Sequence, residues 1–323
     1  MILVGDIGGT KTKLALVARL DGTWQVEQTR SYESQRFPGL EAVIEEYLRE
    51  VRAPVERACF GVAGPVLGGE ARITNLPWRM SEVGLRRLLG VTHVALINDL
   101  TALAYGVPEL GPEDLVVLQE GTRAPGGAIA IVAPGTGLGE GYLTWDGARY
   151  RPGASEGGHT DFAPGDAAQV RLLEYLWAEV GGHVSWERVL SGPGLVGVYR
   201  FLLTSGGAAT CCAEHLFEGD PSAAISARAL AGADPLCAQA LELFVSILGA
   251  QAGNMALTLM ATGGVYLGGG IPPKILPALQ DGAFLRAFRS KGRLSRVVGG
   301  IPVYVIRNPD AQLVGAAACA MAS

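Results

Sequence analysis

The chain has 323 residues, 49% hydrophobic and only 18% charged, enough apolar material for two packed domains. A net charge of −5 and a pI near 5.5 leave no basic field for nucleic acid or an anionic membrane surface. The five cysteines (59, 211, 212, 237, 319) lack CxxC spacing and include an adjacent pair, which fits reduced thiols in a cytosolic protein rather than a disulfide framework.

In chain order, the first residues predict a strand, Ile2–Asp6, with no signal peptide ahead of it. A second strand, Lys13–Val17, runs back after a glycine-rich turn. Leu40, Val43, Ile44, Tyr47, Leu48 and Val51 recur at helical spacing and predict an amphipathic helix over 39–51. Ala58–Val62 reads as a strand, Ser81 as the start of a helix closed by Gly90, and Val94–Ile97 as another strand. Pro108, Gly111 and Pro112 mark a boundary near 107–114. Strands follow at Val116–Leu118, Ala128–Val132 and Gly141–Trp145. Asp220-Pro221 and Asp234-Pro235 each put a capping acid before a proline at the first helical position. The apolar region 243–269 is broken by Gln251, Asn254 and several glycines, so it reads as a buried helix and strand, not a membrane span. Val265–Leu267 is that strand, and Pro302–Ile306 is the last.

Short apolar strands alternating with helices define an α/β protein. Segments 2–17 and 128–145 share one plan: apolar strand, glycine-rich turn, returning strand. That repetition predicts two duplicated lobes with a central cleft, the final segment 301–322 returning to the first lobe.

The turns and the polar residues near them carry the chemistry. In the first turn, Gly8 and Gly9 allow positive φ and close approach of backbone N–H groups to an anion, and Thr10 and Thr12 add hydroxyls. Asp6 contradicts a pure anion pocket unless a divalent cation such as Mg²⁺ stands between it and the phosphates, through water. Gly135-Thr136-Gly137-Leu138-Gly139 repeats the device in the second lobe. Gly268-Gly269-Gly270, ahead of a helix opening at Pro272, leaves bare backbone where an adenine or ribose could lie. Each turn taken alone also reads as a plain tight connection. None matches GxxxxGK[ST] or a GxGxxG between strand and helix. Asp99 ends a strand where α/β clefts open, and equally suits a helix cap. Glu156 and His159, separated by two glycines, suit hydrogen bonding to a polyol; a zinc site lacks further ligands at useful spacing. Glu187 is another candidate sugar ligand, or a turn acid partnered by Arg188.

With these residues in hand, the chain resembles the bacterial glucokinases of the actin/hexokinase/Hsp70-like ATPase superfamily. The resemblance rests on Gly5-Asp6-Ile7-Gly8-Gly9-Thr10, Gly61-Val62-Ala63-Gly64-Pro65, Leu96-Ile97-Asn98-Asp99 and the turn 135–139. It continues through Glu156-Gly157-Gly158-His159-Thr160-Asp161, Glu187-Arg188-Val189-Leu190-Ser191-Gly192 and Gly268-Gly269-Gly270-Ile271. Thr160-Asp161-Phe162-Ala163 stands where the related ROK kinases carry a cysteine-rich zinc motif, so the resemblance is to the non-ROK group.

The family implies a ribonuclease H-like, actin/hexokinase-like fold: a small domain over 1–110 joined by 301–323, and a large one over 111–300. It implies ATP-dependent phosphorylation of the glucose 6-hydroxyl with Mg²⁺, in the cytoplasm, by a homodimer that binds neither nucleic acid nor membrane. By resemblance Asp99 is the catalytic base, and Asn98, Glu156, His159 and Glu187 hold the sugar. Asp6, Gly8, Gly9, Thr10, Lys11, Thr12, Gly135, Thr136, Gly137, Gly268, Gly269 and Gly270 serve ATP, with Asp6 on Mg²⁺. The competing readings are a kinase for another hexose or phosphoryl donor, a non-catalytic sugar-sensing regulator, and a protein-directed ATPase.

Overall fold

The structure is a computed structural model that describes residues 1–73, 76–206 and 219–322. Cys211 and Cys212 lie outside the described residues. The chain divides into two compact units: Met1–Asp114 with Tyr150–Pro152 and Asn308–Ser323, and Leu115–Arg149 with Gly153–Arg307.

In the first unit, β1 (Ile2–Ile7) pairs antiparallel with β2 (Lys11–Leu20), which pairs with β3 (Thr23–Glu33). Helix α1 (Leu40–Val51) leads to β4 (Arg57–Val62), parallel to β1. Three short strands, β5 (Val66–Leu67), β6 (Glu70–Arg72) and β7 (Arg79–Ser81), make a small sheet of their own. Helix α2 (Glu82–Leu89) follows, with Ser81 capping Gly84 N–H and Gly90 closing it in the left-handed region. Then come β8 (His93–Asn98), parallel to β4, and α3 (Asp99–Gly106). The sheet order is β3-β2-β1-β4-β8.

The second unit begins with β9 (Leu115–Gln119) and the hairpin β10 (Ile129–Pro134) and β11 (Leu138–Trp145), followed by β12 (Tyr150–Gly153). Helices α4 (Ala167–Val180), α5 (Gly192–Thr204), α6 (Pro221–Leu230) and α7 (Pro235–Thr258) precede β13 (Gly264–Leu267). After α8 (Leu276–Gln280), α9 (Ala283–Arg289) and α10 (Ser295–Gly299) come β14 (Val303–Ile306) and α11 (Ala311–Ala322). The sheet order β12-β11-β10-β13-β14-β9 repeats the hairpin-then-parallel plan of the first, with β9 added at one edge. This is the duplicated ribonuclease H-like architecture.

The central strands read as unbroken apolar runs because both sheet faces are covered. Leu3, Ile7, Leu14, Leu16 and Phe60 point into a core shared with α1. Their alternates Ile2, Val4, Ala15, Val17 and Cys59 point into a second core against α11. In the second unit one large core surrounds α7. By length and composition α7 would span a bilayer, but 67% of its most apolar window is buried in the protein, as a core helix requires.

Some elements differ from the sequence-based expectation. Strand β3 carries no sequence signal because it is an edge strand with mostly exposed, polar positions and no apolar run. The segment after Gly270 is turns, and the helix opens at Leu276 rather than Pro272. Strand β14 lies in the second sheet, hydrogen-bonded to β13 and β9, so of 301–323 only Asn308 onward groups with the first unit.

Helices α3 and α11 cross closely through small residues: Gly106 meets Ala311, and Gly315 lies against the Ala102 carbonyl. A Cβ at Gly315 would collide with that backbone oxygen, which has no rotamer to escape into. Gly315→Ala is expected to cost about 1–3 kcal/mol through overpacking, read as a lower melting temperature in thermal unfolding.

Candidate active site

The first unit presents two adjoining features at one end of its sheet. Asp6 stands near the end of β1, in register with Lys13 on β2 and Gly61 on β4. Lys13 is ion-paired to Asp310. Burial pushes the Asp6 carboxyl up from 3.8 to about 6; the negative charge of Asp99 adds to this and Lys13 opposes it. Two carboxylates repelling each other are a fitting place for a divalent cation.

On β8 the register Val62↔Asn98 brings Asn98 to the sheet's edge of chain direction, and α3 starts immediately after. Asn98, rather than Asp99, is the helix cap: its Oδ1 accepts from Leu100 N–H at 3.0 Å, and its Nδ2 donates to Gly64 O at 3.4 Å. Asp99 is the first helical residue, with Oδ1 accepting from Leu100 N–H at 2.8 Å. A carboxylate there complements the helix dipole.

The turn after β1 departs from expectation. Neither Gly8 nor Gly9 has positive φ. Gly8 N–H donates to Lys11 O at 2.9 Å, so it closes the turn instead of facing an anion. Thr12 is fully buried and shares a 3.0 Å hydrogen bond with Ser34, whose hydroxyl donates to Gly8 O at 2.8 Å. Thr12 therefore supports the turn from beneath and cannot serve a phosphate. Thr10 and Lys11 remain exposed at its tip. Ser34 had no sequence signal, because only the pairing of β2 with β3 brings it under the turn.

The second unit gathers its own set. Glu187 Oε2 accepts from Leu138 N–H at 2.9 Å, and a side chain at Gly137 would strike that carboxylate. Gly192 N–H donates to Gly135 O at 2.8 Å, so the start of α5 also ties down the turn. Gly158 packs against the Leu138 carbonyl, which seats the loop 156–159 beside the same turn. Glu156 and His159 converge there, their side chains 3.9 Å apart and largely exposed. Glu187 is brought alongside by backbone pairing of Trp186 N–H with Thr160 O at 3.0 Å and Phe162 N–H with Val184 O at 2.9 Å. The edge-to-face contact of Phe162 with Trp186 fills the space behind.

Gly268–Gly270 adjoins the turn as well: Gly268 N–H donates to Val132 O at 3.0 Å, and Ile271 N–H to Pro134 O at 3.3 Å. Gly269 has φ +78° and packs against Pro134 O, where a Cβ would be excluded twice over. Gly270 faces open space. The second unit thus assembles residues 135–137, 156, 159, 187 and 268–270; the first assembles Asp6, Thr10, Lys11, Asn98 and Asp99. Among the described residues no cluster of three or more His, Cys, Asp or Glu forms a metal site by itself.

Two outcomes follow from this geometry. Ionising Asp6 opposes folding: the penalty is absent below the unfolded value of 3.8, grows between there and about 6, and is complete above. Asp6→Asn should raise the melting temperature of metal-free protein by a few degrees at pH 8, with the gain vanishing near pH 4 in a pH series of thermal melts. Thr12→Val should lower stability by about 0.5–1.5 kcal/mol through loss of its hydrogen bond to Ser34 while leaving the KM for ATP unchanged.

The family model described as Glucokinase matches residues 3–323. The chain is 42% identical to the glucokinase of Nostoc punctiforme over 99% of its own length and 98% of the relative's. It is 42% identical to that of Synechocystis at the same coverage. Among solved structures, a glucokinase from an Antarctic psychrotroph superposes with a TM-score of 0.88 at 34% identity, covering 100% of this chain and 99% of that one. A Balamuthia mandrillaris glucokinase in complex with glucose follows with a TM-score of 0.81 at 25% identity, covering 99% and 93%. The chain belongs to the glucokinase family.

Proposed function

We propose that the chain transfers the γ-phosphoryl group of ATP to the 6-hydroxyl of glucose, with Asp99 as the general base. The observation that carries this reading is the placement of Asp99 as first residue of α3, with Asn98 capping the helix and Asp6 close by. A general base needs a carboxylate held at a defined point, and the Leu100 N–H bond to Oδ1 holds it.

Asn98, Glu156, His159 and Glu187 are the residues assigned to the sugar hydroxyls; their mixture of amide, imidazole and carboxylate groups supplies donors and acceptors for a polyol. Glu187 does so with a carboxylate already oriented by Leu138 N–H. Thr10 and Lys11 in the first turn, and backbone of 135–137, meet the phosphates, while Gly270 offers bare backbone to the nucleoside. Asp99 takes the 6-hydroxyl proton as that oxygen attacks the γ-phosphorus, and the bond to the leaving ADP oxygen breaks in line. Asp6, beside Asp99, would hold the Mg²⁺, which when bound would supply neutralisation of charge on the phosphates.

Asp6 must be ionised for this task; with a pKa of about 6 it is so above neutral pH, at a cost that a bound cation would relieve. The enzyme works in the cytoplasm, in keeping with the undisulfided cysteines Cys59, Cys237 and Cys319, and the homodimer is what the family resemblance implies. A DNA-binding regulator would want a basic surface, and the net charge of −5 opposes it.

Asp99→Asn keeps the shape and an oxygen acceptor for Leu100 N–H but removes the base. Glucose affinity by isothermal titration is expected to stay within a few-fold, while kcat in a coupled ADP-release assay falls by about 10²–10⁴. Turnover near the wild-type value would remove Asp99 from the role. The same assay run with mannose, fructose and glucosamine, and with polyphosphate in place of ATP, separates glucose and ATP from their rivals.

A further inference from the structure

The sequence singles out Gln251 and Asn254 as polar interruptions of an otherwise apolar helix, and the reaction as derived makes no use of them. In the structure they are the middle of a hydrogen-bonded line. Lys291 Nζ donates to Asn254 Oδ1 at 2.7 Å, Asn254 Nδ2 to Gln251 Oε1 at 3.1 Å, and Gln251 Nε2 to Glu140 Oε1 at 2.7 Å. Every bond points the same way, from a cation at one end to a carboxyl group at the other. The two amides have their orientation set by those ends.

Both Glu140 and Gln251 are buried, at 2% and 4% exposure. An unpaired acid so placed is costly, and burial raises the Glu140 pKa while the Gln251 bond opposes the rise. Such a group is easily replaced by an apolar residue unless its position matters. Its position is the informative part. Glu140 lies two residues beyond Leu138 on β11, and its second oxygen, Oε2, abuts Gly157 so closely that a side chain there would collide with it. Gly157 is the residue after Glu156 and opens the short helical turn that ends at His159. The neighbouring Gly158 rests on the Leu138 carbonyl of the same strand. The loop is therefore seated on β11 at two points: a backbone oxygen that no substitution can alter, and the Glu140 carboxyl group.

At the far end, Lys291 crosses Gly253 of α7 to reach Asn254 and the Ala250 carbonyl, the latter at 2.8 Å. Lys291, Asn254 and Gln251 thus reach Glu140 along one face of α7.

We propose that Glu140 is a positioning residue for the loop Glu156–His159, held against Gly157 by the hydrogen-bonded line that runs from Lys291 through Asn254 and Gln251. The inference rests on the reading of that loop as the sugar site. Its consequence is selective: displacement of the loop weakens glucose binding, while the phosphate turns, which the line does not support, keep their affinity for ATP.

The test measures KM for glucose, KM for ATP, kcat and melting temperature for four variants of the full chain. Glu140→Gln keeps an acceptor oxygen and the side-chain volume, so it should retain a glucose KM within about threefold of wild type. Glu140→Leu fills the space without an acceptor and should raise the glucose KM about tenfold or more, with the ATP KM within about twofold. Lys291→Met, at the other end, should raise the glucose KM about threefold, and its combination with Glu140→Leu should give less than the product of the two effects, as members of one unit do. All assays are run well below the lowest melting temperature, so that partial unfolding, which would lower kcat and affect both substrates alike, is separated from displacement of the loop. An unchanged glucose KM in Glu140→Leu, equal losses of glucose and ATP affinity, or strictly multiplicative effects of Lys291→Met and Glu140→Leu would each overturn the proposal. Failure of the wild-type protein to phosphorylate glucose would instead remove the reading of the loop on which it rests.

Discussion

In the first unit the parallel register of β1, β4 and β8 places Asp6 opposite Gly61 and Val62 opposite Asn98, so the acid of the first strand and the acid that follows the third come together at one end of the sheet. The strand between them carries no side chain at Gly61, and helix α3 approaches it until Asp99 Cα is 3.5 Å and Ala102 Cβ 3.0 Å from where a Cβ would stand. The two carboxylates are therefore near enough for the Asp99 charge to add to the cost of ionising Asp6. The rest of the first unit serves this juxtaposition. Ser34 and Thr12 brace the turn from beneath, Lys13 offsets part of the charge, and α11 presses α3 into place through Gly315.

The second unit uses the same sheet plan for a different purpose. Its hairpin ends on Pro134 and Leu138 instead of an acid, and the carboxylate at its turn, Glu187, arrives from a segment nearly fifty residues later, as its separation of 49 from Leu138 records. Duplication of a scaffold thus left one copy with charge at the strand ends and the other with loops seated on them. Function follows from what is grafted at these ends, not from the sheet itself.

Both units keep ionisable groups where burial opposes their charge. The Asp6 charge is offset in part by Lys13, and Glu140 is reached by a line of donors from Lys291. Elsewhere the design is conservative: caps such as Asp234 on Leu236 and Cys237, and apolar cores in contiguous clusters.

Much of this was open to reading from the residues alone, because it depends on local rules. Strand runs, the caps at Ser81, Asp220 and Asp234, the two hairpins and the positions of the glycine-rich turns follow from period, cap chemistry and backbone freedom within a few neighbours. The α/β class and its duplication were readable for the same reason. Tertiary structure decided the rest. Only strand pairing and packing could bury Thr12 against Ser34, assign β14 to the second sheet, and turn Gln251 and Asn254 from oddities of a helix into a link beneath Gly157. Contacts between residues far apart in sequence depend on register and packing, which no single stretch of chain encodes by itself.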